Sequence, residues 1–462
     1  MNDGAMKARG AGRTGVRGFP VDAVLLFLLL MLNLPSEGQL EFGRDSADLG
    51  ATGSGWARFF DTSLVRNPIG ALRVAVGLGL LLLYSLTALG VLFRKTRTGV
   101  RAVLLGLLVA WIVVLPAIAE IGLRFAVGPR GHAHDGGVIQ TEEAVRFLFR
   151  GTNPYAADYR STPMAELDWG PGNPAIIHHP YFPFSFLVQA PFLAAGEAAF
   201  GGYDGRVLYL LLFLAPFFFV TRWSADPDRQ LALAALWGLN PFLVPHIVEG
   251  RNDVVVAVLL VAAVHAMITG RWRGAALLLG LACATKQFAF LFVPFFVVLA
   301  GRGSGGWGAV LRRGGKKALP GLAPLVILAL PFFLWDPGAF FDDTYAFNVG
   351  LSEVSYPLGG TPGYGIASLV NVFHLVPSRY HYFPFWIFHL TVVLPLGWLL
   401  LRRHFEKRTA SSAVVSFALF LFLFLFFSRI FHHNYLGLIF FFLAAPAFGE
   451  RLEEGDEPDG ER

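Results

Sequence analysis

The sequence predicts an all-α polytopic membrane protein, a helical bundle of about twelve transmembrane segments carrying outer-face loops. Three observations predict it. Hydrophobic residues make up 55% of the chain and charged residues only 15%, with a mean hydropathy of +0.56, a balance unsuited to a water-facing globule. Apolar windows recur near the roughly 20 residues that a helix rising about 1.5 Å per residue needs to span a bilayer. Lys and Arg cluster in short gaps between those windows, as in loops kept in the cytoplasm. The runs are continuous, which excludes a β-barrel, whose strands alternate over about ten residues.

Taken in order, the windows are Val21–Leu34, which is short, then Ile69–Phe93, Ala102–Val127, Tyr181–Phe200 and Val207–Val220. Leu231–Val248, Val254–Ile268, Ala275–Leu299 and Leu319–Trp335 follow, and Phe383–Leu401, Ala413–Phe427 and Tyr435–Phe448 close the series. Lys7, Arg9, Arg13 and Arg17 precede the first window, and Arg94, Lys95, Arg97 and Arg101 separate the second from the third. Arg302, Arg312, Arg313, Lys316 and Lys317 follow the eighth, and Arg402, Arg403, Lys407 and Arg408 the tenth. This pattern predicts a multi-pass plasma-membrane protein with both termini cytoplasmic and Glu37–Arg66, Asp135–His179 and Asp336–His381 outside. The first window resembles a signal peptide but PSEGQ lacks a small-residue cleavage site, so it reads as an uncleaved helix.

Two windows fit poorly as simple spans. Leu231–Val248 is broken by NPFLVP, and Ala275–Leu299 carries Lys286 at its middle. Read as hairpins of half-helices, they place Glu249–Asp253 outside and the basic Gly270–Arg273 inside, the arrangement loop charge favours. The expected modules are a basic N-terminus (1–20), two helices with an outer loop (21–101), a catalytic module (102–300) with its loop at 128–180, a C-terminal module (301–448) with its loop at 336–381, and an acidic tail (449–462). The net charge of +5 is explained by topology and does not call for nucleic acid. Cys283 lies within an apolar window and has no partner for a disulfide.

Asp135 opens the polar stretch HAHDGGVIQTEEAVRFLFRGTNPYAADYR. The order of Asp135, Glu142, Glu143, Phe147–Phe149, Gly151, Asn153, Pro154, Tyr155 and Asp158 resembles the first outer loop of the GT-C class of membrane glycosyltransferases. His179, Pro180, Tyr181, Pro183 and Phe184 resemble the next helix entry of that class, and GRNDVVVAVLLVAAVHAMITGRWRGAALLLGLACATKQFAFLFVP its following block. The resemblance covers roughly Ala102–Pro294, with an echo at Ser428–Leu438, and is nearest to glycosyltransferase family 87. It implies a GT-C-type bundle that inverts a hexose, mannose foremost, from a polyprenyl-phosphate donor onto a glycolipid, polysaccharide or protein hydroxyl. The layout departs from the family in placing two spans and a polar loop ahead of Asp135, which leaves Asp45 and Asp48 as rival carboxylates.

Such chemistry needs a base for the acceptor hydroxyl and positive charge for the leaving phosphate. The candidate base is Asp135, with a helix cap near Val138 as its structural alternative. Substrate-binding candidates are His178 and His179, Arg251, Asn252 and Asp253, Lys286, and Arg429, His432, His433 and Tyr435. Each has a bland alternative: interfacial anchors for the His and Tyr residues, local ion pairing for Arg251, snorkelling for Lys286. Glu142 and Glu143 read as the solvated face of a surface helix, and Asp336–His381, with Asp342, Asp343, Tyr356 and Tyr364, as a lid or acceptor platform in which Tyr356 and Tyr364, with Trp169, are stacking candidates. No cofactor is required. The His132, His134 and Asp135 tract offers metal-ligand types but is read as polar loop, so no metal is assigned. A flippase of lipid-linked saccharides would want polar groups through the whole membrane depth. A polysaccharide polymerase or ligase would lean on Arg251, Arg429 and His432.

Overall fold

The computed structural model describes residues 20–33, 68–128, 137–166, 174–359 and 363–454. Among these there is no strand, and the protein is an all-α polytopic bundle. Four helical runs are long and apolar enough to cross a membrane: Arg97–Ala126, Arg206–Trp223, Trp307–Trp335 and Trp386–Lys407. Shorter apolar helices complete the bundle.

α1 (Val21–Asn33) and α2 (Pro68–Ala88) precede α3 (Arg97–Val109), which continues through a π-helical turn into α4 (Leu115–Val127). One end of the bundle is fastened by a buried charge cluster. Arg101 Nη1 lies 2.7 Å from Asp22 Oδ2, its Nη2 2.5 Å from Asp228 Oδ1, and the Tyr84 hydroxyl donates to Asp22 at 2.6 Å. Four segments far apart in sequence thereby start or finish at one level.

The opposite end is built around α5 (Gly137–Phe149). Glu142 is fully buried there, against the expectation of a solvated face. Its carboxylate accepts from Arg124 (2.9 and 2.6 Å) and from the Gly205 amide (2.8 Å), while Asp204 accepts from Arg124 (3.1 Å) and Arg206 (2.9 and 2.6 Å). The partners come from α4 and from the start of α8 (Arg206–Val220), so nothing in the local pattern of α5 announces them. Glu142→Gln weakens the charge-assisted bonds to Arg124 in this buried network, although Asp204 still faces that guanidinium, and is expected to lower stability by about 2 kcal/mol. Thermal unfolding in detergent checks this, and an unchanged midpoint would refute the network's structural role.

The window Tyr181–Phe200 is not one span. It forms α6 (Phe184–Leu187) and α7 (Ala190–Phe200). The Phe182 amide donates to Thr285 O, Arg146 of α5 pairs with Glu197 of α7 at 2.8 Å, and Gln189 bonds Thr141 and Tyr209. Both ends of the segment therefore stay at the α5 end of the bundle, and Pro180, Pro183 and Pro191 turn it there.

Leu231–Val248 corrects the hairpin expectation. α9 (Pro227–Gly238), capped by the Asp226 carboxylate on Asp228 N and Arg229 N, leaves the Asp22–Arg101 end. α10 (Val244–Glu249) ends at Gly250, which lies against Arg206 and Val138 at the other. The segment is one broken traverse. Its break is satisfied from outside: Asn240 Nδ2 donates to Gly437 O and Asn33 Nδ2 to Leu239 O. Ala275–Leu299 does turn back, with α12 (Trp272–Cys283) ending just before Lys286 and a 3₁₀ turn leading into α13 (Val293–Ala300).

α11 (Asp253–Ile268) is apolar around its circumference and is buried on most sides, the signature of a helix at the bundle centre. Gly280 of α12 packs on Gly321, and Gly314 of α14 (Trp307–Ala318) on Val297, close approaches that any side chain would block. α15 (Leu322–Trp335) and, after the turns and short helices α16 (Pro337–Phe341), α17 (Phe347–Val349), α18 (Ile366–Val372) and α19 (Trp386–Phe388), α20 (Leu394–Lys407) present exposed apolar flanks. α21 (Ala410–Phe426), opened by a Thr409–Ser412 capping box, and α22 (Tyr435–Ala444) complete the chain.

Candidate functional site

A buried lysine in an apolar run requires a counter-ion, and Lys286 finds one across the bundle. Its Nζ lies 2.6 Å from Asp253 Oδ1 at the start of α11, with both residues nearly inaccessible (4% and 8%). Asn434, just ahead of α22, donates to the second Asp253 oxygen at 2.8 Å. The ammonium also stands over the Tyr181 ring (4.7 Å to its centroid) and, farther off, that of Tyr435 (6.0 Å). Three of the sequence-expected stretches, Arg251–Asp253, Lys286 and His432–Tyr435, therefore converge.

Beside this pair, Glu249 Oε2 accepts from Arg251 Nε and is shared with His246 Nδ1, each at 2.9 Å. The His246 and His433 rings pack edge to face with centroids 4.3 Å apart. Within the described residues, His246 Nε2, His433 Nδ1, Asn252 Nδ2 and Asn434 Oδ1 are buried without a hydrogen-bond partner, a concentration of unspent polar groups that invites a ligand. Burial, with His246 and Arg251 close by, pushes the His433 imidazole down to about 4, so it stays neutral at pH 7. His246 was missed in the sequence because it lies inside the NPFLVP-broken window, where a lone His on an apolar helix reads as packing.

The loop after α15 closes over this cluster. His432 Nε2 meets the Tyr356 hydroxyl at 3.0 Å. Arg429, 2% exposed, spends its guanidinium on backbone: Nε donates to Tyr356 O (2.6 Å), Nη1 to His381 O (2.9 Å), and Nη2 to Arg379 O and Tyr380 O (3.3 and 3.1 Å). Burial without a carboxylate partner brings it down to about 10.

His178 and His179 lie on the neighbouring wall. Gln287, next to Lys286, donates to both Pro180 O and Thr344 O at 2.9 Å and so ties this wall to the helix pair α16 and α17. His178 Nδ1 is 2.6 Å from Asp343 Oδ1 and 3.5 Å from Asp342 Oδ2. Burial raises the Asp343 carboxyl to about 6 against the opposing bonds from His178 and the His179 amide. His179 is packed among Tyr155, Tyr159, Tyr181 and Phe186, and burial lowers it to about 3. Asp135, Asp45, Asp48, His132, His134 and Trp169 lie outside the described residues.

Residues 145–302 match the MptA_B family, described as "Alpha-(1->6)-mannopyranosyltransferase, N-terminal domain". The chain is similar to proteins named GPI mannosyltransferase 1 from three fungi. Identity is 29% over 156 residues with the Aspergillus fumigatus protein and 27% over 194 residues with the Neurospora crassa protein. It is 27% over 161 residues with that of Aspergillus oryzae. Each match takes 34% of this chain, and the chain spans only 33%, 38% and 33% of those relatives. No solved structure matches the chain. The family match contains His178, His179, Arg251–Asp253 and Lys286, and overlaps most of the stretch expected to be GT-C-like.

Proposed function

We propose that the protein is an integral membrane mannosyltransferase of the GT-C class. It takes mannose from a polyprenyl-phosphate donor and passes it, with inversion, to a hydroxyl of a glycolipid, polysaccharide or protein. The observation that carries this is the convergence of Asp253, Lys286, Arg251 and His246, all within a segment similar to a mannosyltransferase family, with His433 and Asn434 from beyond it at one end of the bundle.

Arg251 and Lys286, with His433 and Tyr435, meet the phosphate that gains charge as the sugar leaves. Asp135, two residues ahead of the start of α5, removes the acceptor proton. Val138 in the first turn of α5 rests against Gly250, and Gln140 donates to Ala175 O and His178 O, so this helix opens between the two polar walls. Tyr356, Tyr364 and the rest of the Asp336–His381 loop form the acceptor side. No cofactor enters this step.

The end that carries the Asp253–Lys286 pair is the outer face. Both termini then lie in the cytoplasm, with about twelve crossings in the plasma membrane, α9 and α10 sharing one and α6 and α7 making none. Polar groups gather at the two ends of the bundle while α11 between them is apolar, which favours an enzyme over a flippase.

Purified protein given polyprenyl-phosphate-mannose and a membrane-lipid acceptor extract is expected to release polyprenyl phosphate and yield a mannosylated product. Donor that crosses a liposome bilayer intact, with no phosphate released, would overturn the reading.

A further inference from the structure

We propose that His178, Asp342 and Asp343 bind one divalent transition-metal cation, best suited to Mn²⁺. The three offer an imidazole nitrogen and two carboxylate oxygens, with all ligand atoms within 4.8 Å of one another. His178 Nδ1 stands 2.6 and 3.5 Å from the two oxygens, bracketing the roughly 3.0–3.5 Å between neighbouring ligands held about 2.1 Å from a metal.

Independent features prepare the site. Each carboxylate turns one oxygen toward His178 and has the other held: Asp343 Oδ2 accepts from the His179 amide at 2.7 Å, and Asp342 Oδ1 from the Ser352 hydroxyl at 2.6 Å. Such outer bonds orient ligands around a metal. The His178 ring is stacked on Phe347 (4.4 Å between centroids) and its carbonyl is fixed by Gln140. A π-helical turn, Asp342–Ala346, presents the two acids side by side, a distortion that recurs at functional sites. Among the described residues no Lys or Arg forms an ion pair with either acid, so two carboxylates, one of them buried, share a single imidazole. A divalent cation supplies the missing charge.

The Asp343 side chain is 3% exposed and that of Asp342 44%, so the site is closed on one side and open on the other. Open positions leave room for water or for an oxygen ligand from substrate. One nitrogen with two carboxylates suits Mn²⁺ better than the all-oxygen preference of Mg²⁺. An ion bound there takes the place of the hydrogen bond between His178 Nδ1 and Asp343 Oδ1. The site stands whether or not the transferase reading does.

The test is titration of EDTA-stripped, detergent-purified full-length protein with Mn²⁺ alone, followed by electron paramagnetic resonance. Saturable uptake of one ion per chain is expected, with ¹⁴N coupling from His178 in the electron spin-echo modulation spectrum of the frozen sample. Asp342→Asn, at the open side where folding is least at risk, should weaken binding about tenfold or more, and His178→Ala should remove the ¹⁴N coupling. Glu353→Gln, an exposed acid elsewhere in the loop, should change nothing. The proposal is overturned by no saturable uptake below about 1 mM, by a wild-type spectrum without ¹⁴N coupling, or by equal affinity in Asp342→Asn and wild type. Equal weakening in Glu353→Gln would mark diffuse acidic binding and also overturn it.

Discussion

Lys286→Met is expected to abolish sugar transfer and to destabilise the protein, and the two losses can be separated. The substitution leaves Asp253, at 8% exposure, with the Asn434 hydrogen bond and the nearby charge of Arg251 but without its ion-pair partner, a cost of about 3–5 kcal/mol for a buried pair broken from one side. The double variant Asp253→Asn with Lys286→Met replaces two charges by neutral groups of similar size and should recover most of that stability. Activity behaves differently. If Lys286 stabilises the departing phosphate, both variants fall by about 100-fold or more in kcat, since a positioned charge acts on the transition state. Unfolding midpoints and initial rates on the same preparations decide the matter. A double variant that regains wild-type rate along with stability would make the pair structural only.

Asp135→Asn should leave the unfolding midpoint unchanged while lowering the transfer rate about 10²–10⁴-fold, the range for loss of a general base. The Asn side chain keeps the shape and can still cap a helix start, so a capping role predicts almost no loss. A base also leaves a pH signature. The acid limb of the rate profile reports a carboxylate in the wild type and vanishes from the residual rate of Asp135→Asn. Wild-type turnover in that variant, coupled with inactivity of Asp45→Asn or Asp48→Asn, would move the base to the loop after the first helix and leave the enzyme class intact.

The sequence reveals whatever is local and costly. A lysine amid Thr285 and Phe288 demands a partner, so the Lys286 cluster was legible, as were the break at Asn240–Pro245 and the reversal at Lys286. It does not reveal direction. Whether a broken window turns back or runs on depends on Asn33 and Gly437 supplying its hydrogen bonds from elsewhere, and hydropathy alone cannot tell a short helix pair at one end from a crossing, as at Tyr181–Phe200. The burial of Glu142 was hidden for the same reason: Arg124 and Asp204 are 18 and 62 positions distant, on other elements. Asp343 sat in a loop rich in Gly and Tyr that reads as a lid, and its pairing with His178 spans 165 positions.

The grip of Arg429 on the loop has an evolutionary consequence. A guanidinium that seizes carbonyl oxygens at 356 and 379–381 reads only the backbone, so it is indifferent to which side chains those positions carry. The loop can then exchange the side chains it presents while the fastening stays the same. Attachment and presentation are thus written in separate parts of the same residues.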